Sequence, residues 1–227
     1  MLRGSQQNLN MMLHGDQLQR VNTGPYLGVQ IDQYLKWDYH VQQLCKRISG
    51  KLAVLSRLRK VLSPELLRRQ YIKCIQPCID YAISVWGVCS ERNKNMVTRL
   101  QHRAARIISN NFDYRNTAGS QLVKNLKWQT LDERRDFFTA TLMYKCINGL
   151  APTRLADEVV MSADTHNRNT RATAAIGQVN VPTPKREIFR NSFKYRGAVL
   201  WNQLPDHIKA ATNIDHFKYM YKKQYFN

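Results

Sequence analysis

Acidic side chains are scarce in this sequence of 227 residues. Lys and Arg together number 35 against 16 Asp and Glu, which leaves a formal net charge of +19 at neutral pH. Such an excess is more than solubility needs and favours a polyanionic partner, with nucleic acid ahead of an anionic membrane surface. Hydrophobic residues still make up 43% of the chain, so we expect a folded core rather than disorder throughout.

Long apolar segments are also lacking. The N-terminal stretch MLRGSQQNLNMMLHG has no continuous apolar run of the kind that marks a signal peptide. No later stretch reaches the roughly 20 apolar residues of a membrane span. Five cysteines, an odd number, do not form the disulfide framework of a small secreted domain. We therefore expect an intracellular protein of the nucleus, the cytoplasm or both, neither secreted nor bound to a membrane.

Motifs that carry chemistry are the third absence. Adjacent acidic pairs occur at Asp132-Glu133 and Asp157-Glu158. Both pairs lie in helical patterns, where neighbours point about 100° apart, so neither forms the converging carboxylates of a two-metal site. The chain shows no zinc-ligand spacing, no glycine-rich phosphate loop and no nucleophile motif. The sequence thus predicts no catalytic residue, no metal site and no small-molecule substrate.

Helical periodicity dominates what is present. Residues 9–32 have the pattern of short strands, with turns at 14–16 and 24–25. From Trp37 to about residue 60 apolar residues recur at helical spacing. Ser63 and Pro64 mark the start of a second helix, which should bend or stop before Pro77. Further helices are predicted near 91–109, 119–126, 131–148 and 152–160, and two more after a polar stretch at 161–184.

Rows of basic side chains are the candidate binding sites. On the helix predicted over 91–109, arginines occupy a narrow arc beside the apolar face and would extend roughly 20 Å, at about 1.5 Å per residue. Arginine offers planar, bidentate donors to phosphate, so this row fits a nucleic-acid backbone. A second row keeps four-residue spacing near the C-terminus, and a solvated basic face is the alternative for each. The rows are Arg92, Arg99, Arg103 and Arg106, and Arg186, Arg190 and Lys194.

Aromatic residues alternate with lysines at the C-terminal end of the chain. Rings between charges are a pattern that can stack on bases. Simple packing of one helical stripe is the more common explanation of the same pattern, and both interpretations stay open. The residues are Lys218, Tyr219, Tyr221, Lys222, Lys223, Tyr225 and Phe226.

Seven segments, in order, strongly resemble the reverse transcriptases of non-LTR retrotransposons, particularly jockey-like and chicken-repeat-like elements. The similarity extends over nearly the whole chain and concerns the C-terminal portion of those proteins. The segments are YLGVQID (26–32), WDYHV (37–41), QPCIDYAISVWG (76–87), RLQHRAARII (99–108), YKCINGLAP (144–152), NTR (169–171) and RNSFKYRGAVLWNQLP (190–205).

The resemblance implies roles for the N-terminal third of the chain. Tyr26, Leu27 and Gly28 would belong to a primer grip, and the helices after Trp37 and His40 to a thumb that holds the template–primer duplex. The family's catalytic aspartates, in an aromatic-Ala-Asp-Asp motif, have no counterpart in this sequence. The resemblance therefore implies a chain that begins after the active site, is not an enzyme in isolation and holds no cofactor. Mg²⁺ would belong to the missing palm, and palm and fingers would be further partners.

The expected architecture is mainly α, with a short N-terminal β-hairpin or strand. Its segments are a palm or primer-grip remnant (1–36), thumb-like helices (37–112), a helical connection (113–160), a polar linker (161–184) and a C-terminal helical region (185–227). The leading function is an inactive fragment of an RNA-directed DNA polymerase that holds an RNA/DNA duplex by its backbone. The alternative is a relic or domesticated helical module that docks onto another protein through an exposed sheet edge.

Overall fold

The computed structural model describes residues 11–162 and 177–226. The described chain is mainly α-helical, with two short antiparallel hairpins before the first helix, which confirms the expected fold class. Residues 9 and 10 of the predicted strands lie outside the described residues. The hairpins pair β1 (Met12–Leu13) with β2 (Asp16–Gln17), and β3 (Thr23–Tyr26) with β4 (Val29–Asp32).

The turn of the second hairpin lies at Leu27 and Gly28, so the turn predicted at 24–25 was wrong. Both residues have positive φ, 47° and 78°, as in two-residue turns whose twist matches that of the flanking strands. Pro25 lies inside β3, opposite Gln30. A two-stranded sheet leaves one edge of each strand without ladder hydrogen bonds, and proline, which has no N–H, is tolerated there.

Helices dominate the chain after β4. Helix α2 starts as predicted, because Ser63 Oγ accepts a hydrogen bond from the N–H of Leu66 and Pro64 occupies the first turn. The irregularity predicted before Pro77 is a π-helical turn, Tyr71–Ile75, that joins α2 to α3. The first group is α1 (Asp38–Leu58), α2 (Pro64–Gln70), α3 (Gln76–Asp80), α4 (Ile83–Trp86), α5 (Glu91–Ser109) and α6 (Gly119–Asn125).

A second group of helices completes the described chain. Within the described ranges, none of the helices combines the length and the apolar character that a membrane crossing needs. The group consists of α7 (Leu131–Ile147), α8 (Thr153–Ala156), α9 (Glu187–Arg190), α10 (Phe193–Gln203), α11 (Asp206–Lys209) and α12 (Ile214–Tyr225).

The polar stretch 161–184 has anchored ends. Met161 and Val179 form an isolated antiparallel bridge. The side-chain amide of Asn202 accepts a hydrogen bond from Val179 N at 2.9 Å and donates one to Val179 O at 2.8 Å. Val179 is buried beside α10 as a result. Residues 163–176 of the predicted linker lie outside the described residues.

Two main apolar clusters form the core, and α7 contributes to both. The first joins β4 to α1–α5 and includes Trp37, Trp86 and, from the start of α7, Leu131. The second joins the rest of α7 to α10–α12 and includes Tyr144 and Trp201. The division of the chain into five segments stays a prediction, and α7 is the element through which the two clusters meet.

Candidate nucleic-acid interface

Helix α5 has the bounds that its sequence pattern predicts, Glu91–Ser109. Its apolar face, which includes Val97 and Ala104, is buried in the first cluster. Asn93, also buried, donates from Nδ2 to Asp38 Oδ1 at 2.7 Å and so ties the first turn of α5 to the first turn of α1. These contacts fix the rotation of α5 about its axis, and with it the direction in which its other face points.

Three arginines of the predicted row lie on that outer face. Arg92, Arg99 and Arg103 are exposed, and none of them forms an ion pair or side-chain hydrogen bond with another described residue. At 1.5 Å rise per residue they extend over about 17 Å of the helix. Their donors are therefore available to an external acceptor along this length.

Arg106, the fourth member of the row, has a different environment. It is 6% exposed. Its guanidinium donates to the backbone carbonyls of Asn111, Asp113 and Thr117 at 3.4, 3.2 and 2.6 Å and lies 4.2 Å from the ring centroid of Tyr114. The segment after α5 folds back over Arg106 and uses its donors, so Arg106 holds this segment and is not available to a phosphate.

A concave pocket of about 300 Å³ lies beside the exposed arginines, lined by Arg99, His102, Arg103 and Tyr114. The first turn of α6 closes it, and a Cβ at Gly119 would come within 2.6 Å of His102 Cβ, so this close approach requires glycine. Burial, together with the neighbouring Arg106 charge, lowers the pKa of His102. The positive charge of the pocket at neutral pH therefore comes from its arginines.

The second predicted row does not form one helical face. The helical structure is interrupted between α9 and α10. Ser192 caps α10 there by accepting a hydrogen bond from the N–H of Tyr195. Arg190 Nε forms an ion pair with Glu187 Oε2 at 3.6 Å, and Lys194 Nζ forms one with Glu158 Oε2 at 2.8 Å. Arg186 precedes α9 and is exposed. Four-residue spacing in the sequence did not reveal this break or the two acidic partners.

The residues that the resemblance assigns to a primer grip lie at the tip of the β3–β4 hairpin. Tyr26 and Leu27 are 65% and 74% exposed. The Tyr81 hydroxyl donates to the Leu27 carbonyl, and a Cβ on Gly28 would lie 3.5 Å from the Tyr81 ring. The hairpin tip thus rests on the residue that follows α3, with its side chains open to solvent.

The Trp-x-x-His pattern joins this hairpin to the helices. Trp37 N donates to Asp32 Oδ2 at 2.8 Å. His40 Nδ1 accepts from the N–H of Gln30 at 3.4 Å, and its ring centroid lies 5.7 Å from that of Trp86. Both side chains are buried. The pattern is therefore structural in this chain, because it fixes the hairpin against α1.

Further exposed basic residues on α1 were missed in the sequence reasoning. Lys46, Arg47 and Arg57 are exposed and form no ion pair with another described residue. Lys46 and Arg57 are eleven positions apart, which places them about 20° apart around the helix axis, so their spacing could have identified them. In the described ranges, no group of His, Cys, Asp and Glu side chains has the arrangement of a metal site.

Comparison with known proteins gives two curated relatives, both from Drosophila melanogaster. The chain is 29% identical over 125 residues to a probable RNA-directed DNA polymerase from transposon BS, a match that covers 54% of this chain and 14% of that protein. It is 26% identical over 165 residues to the RNA-directed DNA polymerase from mobile element jockey, with 70% of this chain and 18% of that protein covered. These relatives confirm the resemblance to reverse transcriptases of jockey-like elements. No family model and no solved structure matches the chain.

The same relatives correct one expectation, that the chain is not an enzyme. Both are RNA-directed DNA polymerases, and the matches span 14% and 18% of their lengths. So small a share does not show that a palm is missing from the whole protein. The lack of paired aspartates in these 227 residues describes the residues at hand and leaves the activity of a longer chain open.

Proposed function

We propose that this chain is the duplex-holding part of a mobile-element RNA-directed DNA polymerase, and that it grips the sugar–phosphate backbone through α5. One observation carries the proposal: Arg92, Arg99 and Arg103 point outward, without partners among the described residues, from a helix whose other face is fixed in the core. Planar guanidinium groups bind phosphate oxygens in bidentate fashion. A row of them about 17 Å long meets several phosphates of one strand.

The charge of the chain supports a backbone contact. The chain has a formal charge of +19. When its basic side chains neutralise phosphates, counterions are released from the nucleic acid, so the affinity falls steeply as the salt concentration rises. Contacts to phosphate position a duplex but read no bases. Binding that depends on salt and not on sequence follows from the arrangement, and it suits a polymerase that copies any template.

The tip of the β3–β4 hairpin is the second contact site in this proposal. Tyr26, Leu27 and Gly28 are exposed at the end of β3–β4, and the hairpin is joined to α1 through Trp37 and Asp32. The resemblance to reverse transcriptases assigns contact with the primer end to this tip. The helices between the tip and α5 then act as a thumb.

The test is binding of a fluorescently labelled RNA/DNA hybrid duplex, followed by anisotropy over a series of salt concentrations. The variant R99Q/R103Q removes two exposed arginines of α5. We expect affinity to fall roughly tenfold or more near 0.1 M salt, and the slope of log K against log salt to decrease in magnitude by about 2. Circular dichroism should show unchanged helicity, since neither side chain contacts the core.

A matched control is R69Q/R154Q, which removes the same charge from exposed arginines of α2 and α8. We expect it to leave the affinity within about threefold of the unchanged chain, as for loss of distant charge alone. Equal losses of affinity in the two variants would show that α5 contributes only through the overall charge of the chain and is not a specific binding site. Absence of duplex binding at low salt would refute the proposal and favour the protein-docking alternative.

A further inference from the structure

A groove of about 670 Å³ lies between α7 and α12, and no residue of α5 lines it. This volume is in the range of small-molecule pockets, about 300–1,000 Å³. Arg134 and Phe138 line it from α7, and Tyr219, Lys222 and Phe226 from α12 and its C-cap. These positions recur at intervals of three and four residues, which places them on facing sides of the two helices.

Aromatic rings form the base of the groove. The buried ring of Phe137 lies 5.4 Å from that of Phe138 and 5.7 Å from that of Phe226, centroid to centroid. Tyr221, also buried, packs against Phe137 at 5.5 Å. Phe138 is half-buried, and Tyr219 is 61% exposed. The inner rings thus hold their neighbours in place. The Arg134 guanidinium carbon lies 5.9 Å from the Phe138 ring centroid, so Tyr219 offers a planar ligand the more open face.

Basic side chains border these rings. Lys222 is exposed, with its Nζ 5.2 Å from the Phe137 centroid, and Lys223 beside it is exposed as well. Arg134 is neutralised, because Asp80 accepts hydrogen bonds from its Nε and Nη2, both at 2.5 Å. Among the described residues that line the groove none is acidic. Lys222 therefore gives one edge of the groove a positive charge.

The amides of Gln76 and Gln129 complete the lining. The Gln129 amide is already engaged, because its oxygen accepts from Arg134 Nη1 and its nitrogen donates to the Lys127 carbonyl, both at 3.3 Å. A bare phosphate would use the lysines but not the rings. An apolar peptide would use the rings but would leave Lys222 without an anionic partner. A planar heterocycle with an attached phosphate uses both the rings and Lys222.

We propose that this groove binds one nucleotide of single-stranded nucleic acid, with the base stacked on Phe138 or Tyr219 and the phosphate held by Lys222. The bases of an intact duplex are covered by their neighbours, so the ligand is an unpaired nucleotide, such as one in a template overhang. The inference rests on the proposed function in one respect, that nucleic acid is the partner, and it uses none of the α5 residues.

The experiment compares a labelled single-stranded 12-mer of thymidines with a blunt 12-base-pair duplex, both by anisotropy at one salt concentration. The variant Y219A/K222Q removes an exposed ring and an exposed charge from the groove. The matched control Y225A/K218Q removes the same residue types from positions on α12 that do not line it. Loss of one stack and one phosphate contact should weaken single-strand binding by Y219A/K222Q roughly tenfold, and duplex binding by less than about threefold.

The control should change both affinities by less than about threefold. Losses that are equal for the two nucleic acids, or equal in variant and control, would overturn the groove as a single-strand site. A second variant, F138L, keeps an apolar side chain but removes the ring, and it should weaken single-strand binding with the same selectivity. It decides the matter if Y219A/K222Q unfolds.

The two proposals fail in different ways. If R99Q/R103Q binds duplex like the unchanged chain while Y219A/K222Q loses single-strand affinity, the α5 proposal is wrong and the groove stands. If α5 controls duplex binding while Y219A/K222Q and F138L retain single-strand affinity, the groove is wrong and the proposed function stands.

Discussion

Helices α5 and α7 both carry arginines along their length, and they use them in opposite ways. On α5, Arg99 and Arg103 face solvent without an acidic partner among the described residues. On α7, Arg134 and Arg135 are 13% and 6% exposed at the side chain, and both are paired with aspartates. Three of the scarce acidic residues, Asp80, Asp132 and Asp136, are thus placed beside the arginines of α7. Where acids are lacking, the same residue type remains a surface charge.

Arg135 shows how completely an α7 arginine is satisfied. Its guanidinium pairs with Asp132 and donates from Nε and Nη2 to Asp136 at 3.0 and 2.9 Å. It also donates to the carbonyl of Gly87, beyond α4, at 3.3 Å. This one side chain connects α7 to the first cluster. Arginines of this kind report on stability, and the exposed arginines of α5 report on binding.

The largest effect is expected at the α7 end of this comparison. The variant D80N removes the charge that compensates Arg134, both side chains being largely buried. Breaking such a pair leaves a poorly solvated cation, so we expect the free energy of unfolding to fall by about 3 kcal/mol. A urea titration measures the change. The matched control E65Q breaks an exposed pair with Arg69 and should lower stability by less than about 1 kcal/mol. Similar losses in both variants would contradict a structural role for Asp80.

The next effect divides α5 itself. R106Q removes charge-assisted hydrogen bonds to the carbonyls of Asn111, Asp113 and Thr117, so we expect a loss of about 2 kcal/mol in urea unfolding. R103Q, three residues earlier and exposed, should change stability by less than about 0.5 kcal/mol. If R103Q destabilised the chain as much as R106Q, the boundary between the surface and structural parts of the row would be misplaced.

This boundary marks what the sequence could and could not predict. The limits of α5 follow from its apolar period and from Ser90 as N-cap, both local signals. Arg106 lies in the same arc as Arg99, and its burial depends on residues 111–117 folding back, a tertiary event without a local signature. The break between α9 and α10 was missed because the basic spacing continues across Ser192. The turn at Leu27 was missed because a proline in β3 was read as part of a turn.

A smaller effect compares the starts of the two helices. Thr130 and Glu133 form a reciprocal capping box at α7, with Thr130 N donating to Glu133 Oε2 at 2.7 Å and Glu133 N to Thr130 Oγ1 at 3.3 Å. Ser90 gives α5 one longer bond, 3.4 Å to the N–H of Asn93. We expect T130A to lower stability by about 1 kcal/mol and S90A by about half as much. Thermal or urea unfolding measures both, and the reverse order would contradict the reasoning.

The smallest expected effect is a pH dependence of stability. It arises on α5, which contains His102, because α7 contains no histidine. Burial, and then the charge of Arg106, lowers the pKa of His102 in the folded chain. The unfolded chain takes up this proton near its ordinary pKa of about 6.5. Above that pH His102 does not affect stability. As the pH falls below it, the unfolded chain binds a proton that the folded chain does not, so the folded chain becomes less stable. H102N should show a shallower decline between about pH 7 and 5 in urea titrations. An unchanged slope would show that other groups cause it.

The π-helical turn Tyr71–Ile75 accommodates one extra residue between α2 and α3. A π-turn contains one residue more than an α-turn, and each residue rotates the next part of the helix by about 100°. Deleting the exposed Lys73 would restore regular α-helical hydrogen bonding locally. Four α-helical residues turn the chain about as far as the five residues of the π-turn, so the deletion should leave Asp80 facing Arg134 and preserve the pair that joins α3 to α7.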